Sequence, residues 1–216
     1  MLLPVAIVIV VSGMRRSLME IHHGLLALIA GRLLSTLITD LLKSRVGRLR
    51  PDFLSRCKWD AALSACTGKA DDVLDGRKSF PSGHSSTAFA GMTFLFLWIA
   101  GNTSAWSFTS RPPSSLLLRS RLLGLLISLL PIGYATWVAI SRMEDYRHHK
   151  EDVIVGSLVG ILSSTICYLV YWPNPFSWRS FKDSLLGKPR ILYSGRDDRR
   201  RPGDFALTSL DDDDQV

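Results

Sequence analysis

The segment SRMEDYRHHKED, residues 141–152, separates two long apolar runs and is dense in charged and imidazole side chains. Arg142 precedes His148 by six residues, and His148 precedes Asp152 by four. If a helix begins near His148, the imidazole and the carboxylate share one face of that helix, one turn apart. A carboxylate beside an imidazole holds one tautomer of the ring and raises the basicity of its far nitrogen. The spacing therefore predicts a reactive histidine.

Two simpler interpretations stay open for this segment taken alone. The first is a solvated basic loop at the end of a membrane helix. The second is a metal site built from the histidines and a nearby carboxylate. The chain has no further cluster of histidine or cysteine at ligand spacing, so we expect no bound metal.

Apolar residues are concentrated in windows along the chain. The 216 residues are 47% hydrophobic, and the mean hydropathy is positive, +0.17. A membrane-crossing helix needs about 20 apolar residues and satisfies its own backbone hydrogen bonds. Four windows approach or reach that length, 22–42, 84–100, 122–140 and 153–172, and residues 2–12 form a shorter one. The windows predict an all-α, polytopic transmembrane helical bundle with four clear spans and an N-terminal partial span.

Glycines recur inside these windows. Small residues allow membrane helices to approach closely, so the glycines predict tight helix packing. They are Gly24, Gly31, Gly91, Gly124, Gly156 and Gly160.

The two ends of the chain differ in character. Residues 2–12 would cover only about half of a hydrocarbon core of about 30 Å, so we expect the sequence to be incomplete at its N-terminus. From residue 187 onward, runs such as GRDDRRRPGD and DDDD predict disorder. The sequence thus divides into a membrane-embedded domain, 1–186, and a disordered charged tail, 187–216.

The formal net charge of the chain is +7. Its basic residues lie largely in loops between apolar windows and accompany no nucleic-acid motif, so no nucleic-acid partner is expected. Cys57 and Cys66 share one of these loops. A single disulfide is possible there if the loop lies outside the cytosol.

Three polar clusters flank the windows. They are Lys43 with Arg50 and Pro51, then Pro81, Ser82, Gly83 and His84, then Ser141 and Arg142 with His148 and Asp152. Two crossings separate the loop at 43–83 from the loop at 141–151, so both loops lie on the same side of the membrane. The three clusters can therefore form one site. Basic residues at 101–121 and in the tail favour the non-cytosolic side for this site.

This arrangement resembles the signature of the type 2 phosphatidic acid phosphatase superfamily, the lipid phosphate phosphatases. That signature is Lys, six residues, Arg-Pro; then Pro-Ser-Gly-His; then Ser-Arg, five residues, His, three residues, Asp. Every position matches in order and spacing, and the resemblance covers about residues 22–172. The stretches GRLRPDFLSRC and SRMEDYRHHKEDVIVG look most like the fungal phosphatidate and diacylglycerol pyrophosphate phosphatases. The resemblance implies a phosphatase/haloperoxidase-like core, and typically six spans where this sequence shows four and a partial one.

The resemblance also implies a role for each matched residue. His148 attacks phosphorus and forms a phosphohistidine, Asp152 orients His148, and His84 protonates the leaving alkoxide and later activates water. Phosphate binding falls to Lys43, Arg50, Ser82, Gly83 and Arg142. Phosphoryl transfer needs positive charge and hydrogen-bond donors around the phosphate oxygens, which these residues supply. Because cationic side chains stand where a metal-dependent phosphatase places carboxylates, no metal or other cofactor is expected.

We therefore expect an integral-membrane phosphatase whose substrate is a membrane phospholipid of the phosphatidate type, with diacylglycerol pyrophosphate as a second candidate. Two alternatives stay open: a phosphatase of a soluble ester such as a sugar phosphate, and an inactive polytopic scaffold or transporter. Intact His84, His148 and Asp152 argue against inactivity. We also expect no charged residue at the middle of a span, which argues against the ion path of a transporter. No oligomeric state is predicted.

Overall fold

The computed structural model describes residues 2–103, 105–106, 120–176 and 189. The described residues are mostly helical, which confirms the predicted helical class. The elements in chain order are α1 (Leu2–Met14), α2 (Leu18–Val46), α3 (Phe53–Cys57), β1 (Trp59–Asp60), β2 (Ala65–Cys66), α4 (Ala70–Gly76), α5 (Gly83–Thr103), α6 (Arg121–Glu144) and α7 (Lys150–Tyr171). The two short strands pair antiparallel, with Trp59 opposite Cys66.

Three helices, α2, α6 and α7, are long and apolar enough to cross a membrane, and they correspond to three of the four predicted windows. The fourth window forms α5, which has 21 residues but is not in this set. Polar residues at both its ends, such as His84 and Asn102, make it less apolar than the others. Helix α1 is apolar but has only 13 residues. Length and composition therefore support three of the four predicted spans, and the crossings by α5 and α1 stay predictions.

Helix α5 can carry polar residues because the other long helices enclose it. It packs against α2, α6 and α7, and most of its side chains are buried. The ring of Phe94 on α5 lies 5.8 Å from the rings of both Tyr168 and Trp172, centroid to centroid. The outer faces of α2 and α7 instead expose large apolar side chains such as Leu37 and Leu162. Such continuous apolar surface is what a membrane would cover.

Two glycines let α7 approach the first turns of α5. A Cβ atom added at Gly156 would lie 2.5 Å from the Ser82 carbonyl oxygen, and one added at Gly160 would lie 2.4 Å from the Ser86 carbonyl oxygen. Both distances are far below normal contact, so only glycine fits at these positions. The close packing predicted from the glycines is thus present, and it brings the N-terminal ends of α5 and α7 together.

The loop between α2 and α5 is a folded cap. Helix α2 ends before Gly47, whose φ of +60° is the left-handed conformation that glycine adopts readily. Beyond it, Cys57 and Cys66 form a disulfide, and Arg56 pairs with both Asp52 and Asp75. The bridge that the sequence allowed is therefore present in the structure.

The predicted domain boundary at residue 186 and the predicted disordered tail fall outside the described residues, apart from Pro189. Most of the connection at 101–121 also falls outside them.

Candidate active site

The ends of four helices meet beneath the cap. The Ser82 amide, just before α5, donates to the carbonyl of Asp152 in the first turn of α7, with an N–O distance of 2.9 Å. Lys43, near the end of α2, packs against Gly83. Arg142, near the end of α6, acts electrostatically on the His84 imidazole. The three sequence clusters are thus brought to one end of the bundle, as the crossing argument predicted.

His148 is buried, with 4% of its surface exposed. Its Nδ1 lies 2.8 Å from the backbone carbonyl oxygen of Ser79. A carbonyl oxygen can only accept a hydrogen bond, so Nδ1 carries the proton and donates it. In the neutral ring, Nε2 then holds an unshared electron pair. Sequence reasoning singled out this histidine, and its contact with Ser79 leaves Nε2 unprotonated in the neutral ring.

The pKa of His148 is lowered from its ordinary value of 6.5 to about 4. Burial of the ring is the largest cause, and the nearby positive charge of Arg50 is the second. The hydrogen bond to Ser79 and the charge of Asp152 oppose this shift without reversing it. His148 is consequently neutral at physiological pH.

Asp152 does not bond directly to His148, and its carboxylate oxygen Oδ2 lies 3.8 Å from Nδ1. The helix begins at Lys150 with His149 as its N-cap, later than the start near His148 that the spacing suggested. Asp152 therefore occupies the third helical position, and its Oδ2 accepts from the His149 amide at 3.1 Å in a capping box. The predicted neighbourhood of imidazole and carboxylate is present, but the contact that orients the ring comes from Ser79.

Ser79 and Arg48 were both missed by sequence reasoning. The Ser79 hydroxyl donates to Asp152 Oδ2, while the Ser79 carbonyl accepts from His148. Arg48 pairs with Asp152 Oδ1 at 3.0 Å and with Glu151 at 3.2 Å. A fully buried carboxylate needs a charged or hydrogen-bonding partner. Sequence reasoning could have found Arg48 from this requirement, because Arg48 lies in the same basic run as Arg50 and could reach a buried carboxylate.

The first turn of α5 supplies hydrogen-bond donors and lies against the Lys43 ammonium. A Cβ atom on Gly83 would lie 3.1 Å from the Lys43 Nζ, so glycine lets the ammonium approach the helix end. The amides of Gly83 and His84 have no acceptor among the described residues, and such amides at a helix start bind anions. Ser82 is fully buried, and its hydroxyl oxygen accepts from Ser85 at 3.0 Å.

The two predicted arginines are held by carboxylates at the surface. Arg50 donates to the Asp75 carboxylate at 2.9 Å and to its carbonyl at 3.1 Å. Burial lowers the pKa of Arg50, while the charge of Asp75 acts in the opposite direction. Arg142 pairs with Asp145 at 3.0 Å. A guanidinium has five N–H donors, so each arginine keeps donors for a further anion.

A groove of about 520 Å³ opens beside these groups, with α2, α5 and α6 as its walls. Lys43, Gly83 and His84 line one end of it, and Arg32 lines it further along α2. Arg32 stands near the middle of α2 and of the predicted span 22–42. The expectation that no charged residue lies at mid-span was therefore wrong. The described residues contain no group of three or more His, Cys, Asp or Glu side chains placed to hold a metal ion.

Comparison with known proteins identifies the family. A profile of the PAP2 superfamily matches residues 24–176. The chain belongs to this superfamily, which confirms the resemblance seen in its three-part signature.

Three relatives illustrate the match. Lipid phosphate phosphatase 2 of Arabidopsis thaliana is 37% identical over 182 residues, 81% of this chain and 59% of that protein. Diacylglycerol pyrophosphate phosphatase 1 of Saccharomyces cerevisiae is 35% identical over 81% of this chain and 61% of that protein. Phospholipid phosphatase 2 of Homo sapiens is 34% identical over 64% of this chain and 48% of that protein. The chain spans about half to three fifths of the length of these relatives. No solved structure matches it significantly.

Proposed function

We propose that this protein is an integral-membrane lipid phosphate phosphatase that hydrolyses phosphatidate-type monoesters to diacylglycerol and phosphate. The observation that carries the proposal is the state of His148: buried, neutral, and held by Ser79 so that Nε2 has a free electron pair. Lys43 and Arg50 act electrostatically on the same ring, so positive charge that could stabilise a phosphate lies near it. The names of the plant, fungal and human relatives support the same class of reaction.

In the first step, Nε2 of His148 attacks phosphorus and the bond from phosphorus to the lipid oxygen breaks. His84 gives its proton to the leaving alkoxide, which becomes the hydroxyl of diacylglycerol. The product on the enzyme is a phosphohistidine. In the second step, His84 takes a proton from water, the resulting oxygen attacks phosphorus, and the bond to Nε2 breaks to release phosphate.

Charge on the phosphate oxygens is stabilised by groups that are already in place. Lys43, Arg50 and Arg142 supply positive charge, and Ser82 and the Gly83 amide supply hydrogen bonds. Asp152 acts as a positioning group, because it holds Ser79, whose carbonyl holds His148. Three fixed cations perform the neutralisation for which other phosphatases use a divalent metal, so the reaction proceeds without one.

In the proposed topology, α2, α5, α6 and α7 cross the membrane as four spans, and α1 is a partial span. The site and its cap then lie on the non-cytosolic face, and the Cys57–Cys66 bridge suits an oxidising compartment. The groove beside Lys43 opens among helices whose outer faces are apolar, so a lipid can reach the site from within the bilayer. Residues 1–186 form the membrane domain, and 187–216 form the charged tail.

The test is phosphate release by the purified protein from phosphatidate, lysophosphatidate, diacylglycerol pyrophosphate and a sugar phosphate. We expect turnover of the lipids in EDTA and loss of essentially all turnover in His148→Ala. Gly133→Ala is the matched control, because its added methyl group meets open space. Hydrolysis of the sugar phosphate alone would indicate a soluble ester as substrate. Activity abolished by EDTA and restored by magnesium would contradict the mechanism, and no hydrolysis at all would favour a scaffold.

A further inference from the structure

One face of α2 carries a polar stripe that continues from Lys43 into the membrane-length part of the helix. Arg32, Thr36, Asp40 and Lys43 follow one another at intervals of four, four and three residues, and all four line the groove. These intervals place side chains on one face of a helix. Their neighbours Leu33 and Leu37 point outward and are exposed. The stripe is therefore directed into the groove.

Arg32 is the unusual member of the stripe. Its Nη1 donates to the hydroxyl of Thr87 on α5, and no carboxylate of the described residues lies within ion-pair distance of it. A charged side chain inside a span is costly and usually marks a functional site. A guanidinium has five N–H donors, so most donors of Arg32 are left for something that enters the groove. Neither the signature residues nor the proposed chemistry uses this side chain.

The Thr87 contact places the Arg32 guanidinium at a definite depth. Thr87 follows His84 by three residues on α5, a rise of about 4.5 Å along the helix. A phosphate bound at Lys43 and His84 would thus have Arg32 about one helical turn below it on the lipid side. In a diacylglycerol phosphate, the first polar atoms on that side are the oxygens of the acyl esters, a few bonds from the phosphate.

We propose that Arg32 determines substrate specificity by donating hydrogen bonds to the acyl ester carbonyls of the lipid. This inference rests on the proposed function and extends it. Arg32 would make the enzyme prefer ester-linked glycerolipids to ether-linked ones. A phosphatidate-type monoester carries a single phosphate, so its acyl ester carbonyls are the acceptors it can offer to Arg32. A second phosphate group, as in diacylglycerol pyrophosphate, is the alternative occupant that the experiment distinguishes.

The experiment compares two lipid phosphates of equal chain length, one diacyl and one dialkyl, which differ only in the carbonyl groups. kcat/KM is measured for both in detergent micelles on the same preparation, so their ratio does not depend on the fraction of folded protein. We expect the kcat/KM of the wild type to be about tenfold higher for the diacyl lipid, which corresponds to the usual contribution of a hydrogen bond from a charged group. Arg32→Met should bring the ratio close to one, and Arg32→Lys, which keeps a cationic donor, should fall between the two.

Leu37→Met is the matched control, because Leu37 lies on the outer face of the same helix, and it should keep the wild-type ratio. A wild-type ratio near one, or an unchanged ratio in Arg32→Met, overturns the inference while phosphatidate hydrolysis leaves the proposed function standing. If Arg32→Met selectively loses diacylglycerol pyrophosphate instead, the subsite binds a second phosphate and the ester assignment is wrong. If the wild type hydrolyses neither lipid, the proposed function itself has failed.

Discussion

At the scale of single residues, the site depends on a short chain of contacts from Arg48 to His148, the proposed nucleophile. Arg48 pairs with Asp152, Asp152 accepts from the Ser79 hydroxyl, and the Ser79 carbonyl accepts from His148. Asp152 is fully buried and His148 nearly so, so these two side chains have limited freedom. The orientation of the imidazole therefore depends on Ser79 directly and on Asp152 and Arg48 through it.

The first prediction concerns Arg48. Arg48→Gln leaves the buried Asp152 carboxylate without its cation, so we expect a loss of about 2 kcal/mol in the free energy of unfolding and a lower kcat. Thermal unfolding in detergent and phosphate release measure the two effects. Arg45→Gln is the control, because Arg45 is exposed and has no partner among the described residues. Equal behaviour of the two variants would contradict this chain of contacts.

The second prediction is the pH dependence set by His148. Its pKa of about 4 means that Nε2 loses its free electron pair only below about pH 4. The acidic limb of kcat/KM should therefore lie near pH 4, after correction for the ionisation of the substrate phosphate. The stability that comes from burying a neutral ring is fully present above pH 6.5 and is lost as the pH falls toward 4. A limb near 6.5 would show that the ring is not buried as described.

At the scale of elements, the contact between α5 and α7 decides the site. The signature residues His84 and Asp152 stand in the first turns of these two helices. The backbones of α5 and α7 approach closely because Gly156 and Gly160 on α7 place no side chain between the two helices. A wider separation would break the hydrogen bond from the Ser82 amide to the Asp152 carbonyl. Helix packing and the geometry of the proposed active site are thus coupled through two glycines.

The third prediction follows from this contact. Gly160→Ala places a methyl group 2.4 Å from the Ser86 carbonyl oxygen, so α7 must shift, and we expect a loss of about 1–3 kcal/mol in stability together with reduced turnover. Gly133→Ala, on α6, adds the same methyl group where nothing lies within 4 Å. It should leave unfolding and turnover close to wild type. Unfolding midpoints that drop equally in both variants would count against the close packing.

At the scale of the whole molecule, three apolar helices surround α5 and a disulfide-linked cap covers one end of the bundle. All three signature clusters lie at that end. The proposed reaction centre lies there, beside exposed apolar surface along the helices, which is consistent with the proposed substrate, a lipid with a charged head and apolar chains. The proposed orientation places the cap outside the cytosol.

The fourth prediction tests this orientation. With Cys167, the free cysteine among the described residues, replaced by Ala, single cysteines are introduced at Leu74 in the cap and at Val216 in the tail. In sealed vesicles whose outer face is the cytosolic one, an impermeant maleimide should label Val216→Cys and leave Leu74→Cys unlabelled until detergent is added. Leu74 is 58% exposed, so it can react once it is reached. Labelling of both sites without detergent would contradict the topology.

Much of the fold was predictable from local patterns. Apolar windows marked α2, α6 and α7, because crossing hydrocarbon demands length and apolarity that composition reveals. The window of α5 was found by the same reasoning. Its less apolar character has a tertiary cause, since a helix enclosed by others need not face lipid.

The sequence by itself determined the family and the identity of the signature residues, because their order and spacing along the chain are specific and need no coordinates. Only the tertiary structure decided which groups act on them. Ser79 accepts a hydrogen bond from His148, and Arg48 neutralises Asp152. Arg32, which lines the groove, donates a hydrogen bond to Thr87. These contacts join residues 69, 104 and 55 positions apart. Local spacing cannot predict contacts at such separations, because they form only when α2, α5, α7 and the cap between α2 and α5 pack together.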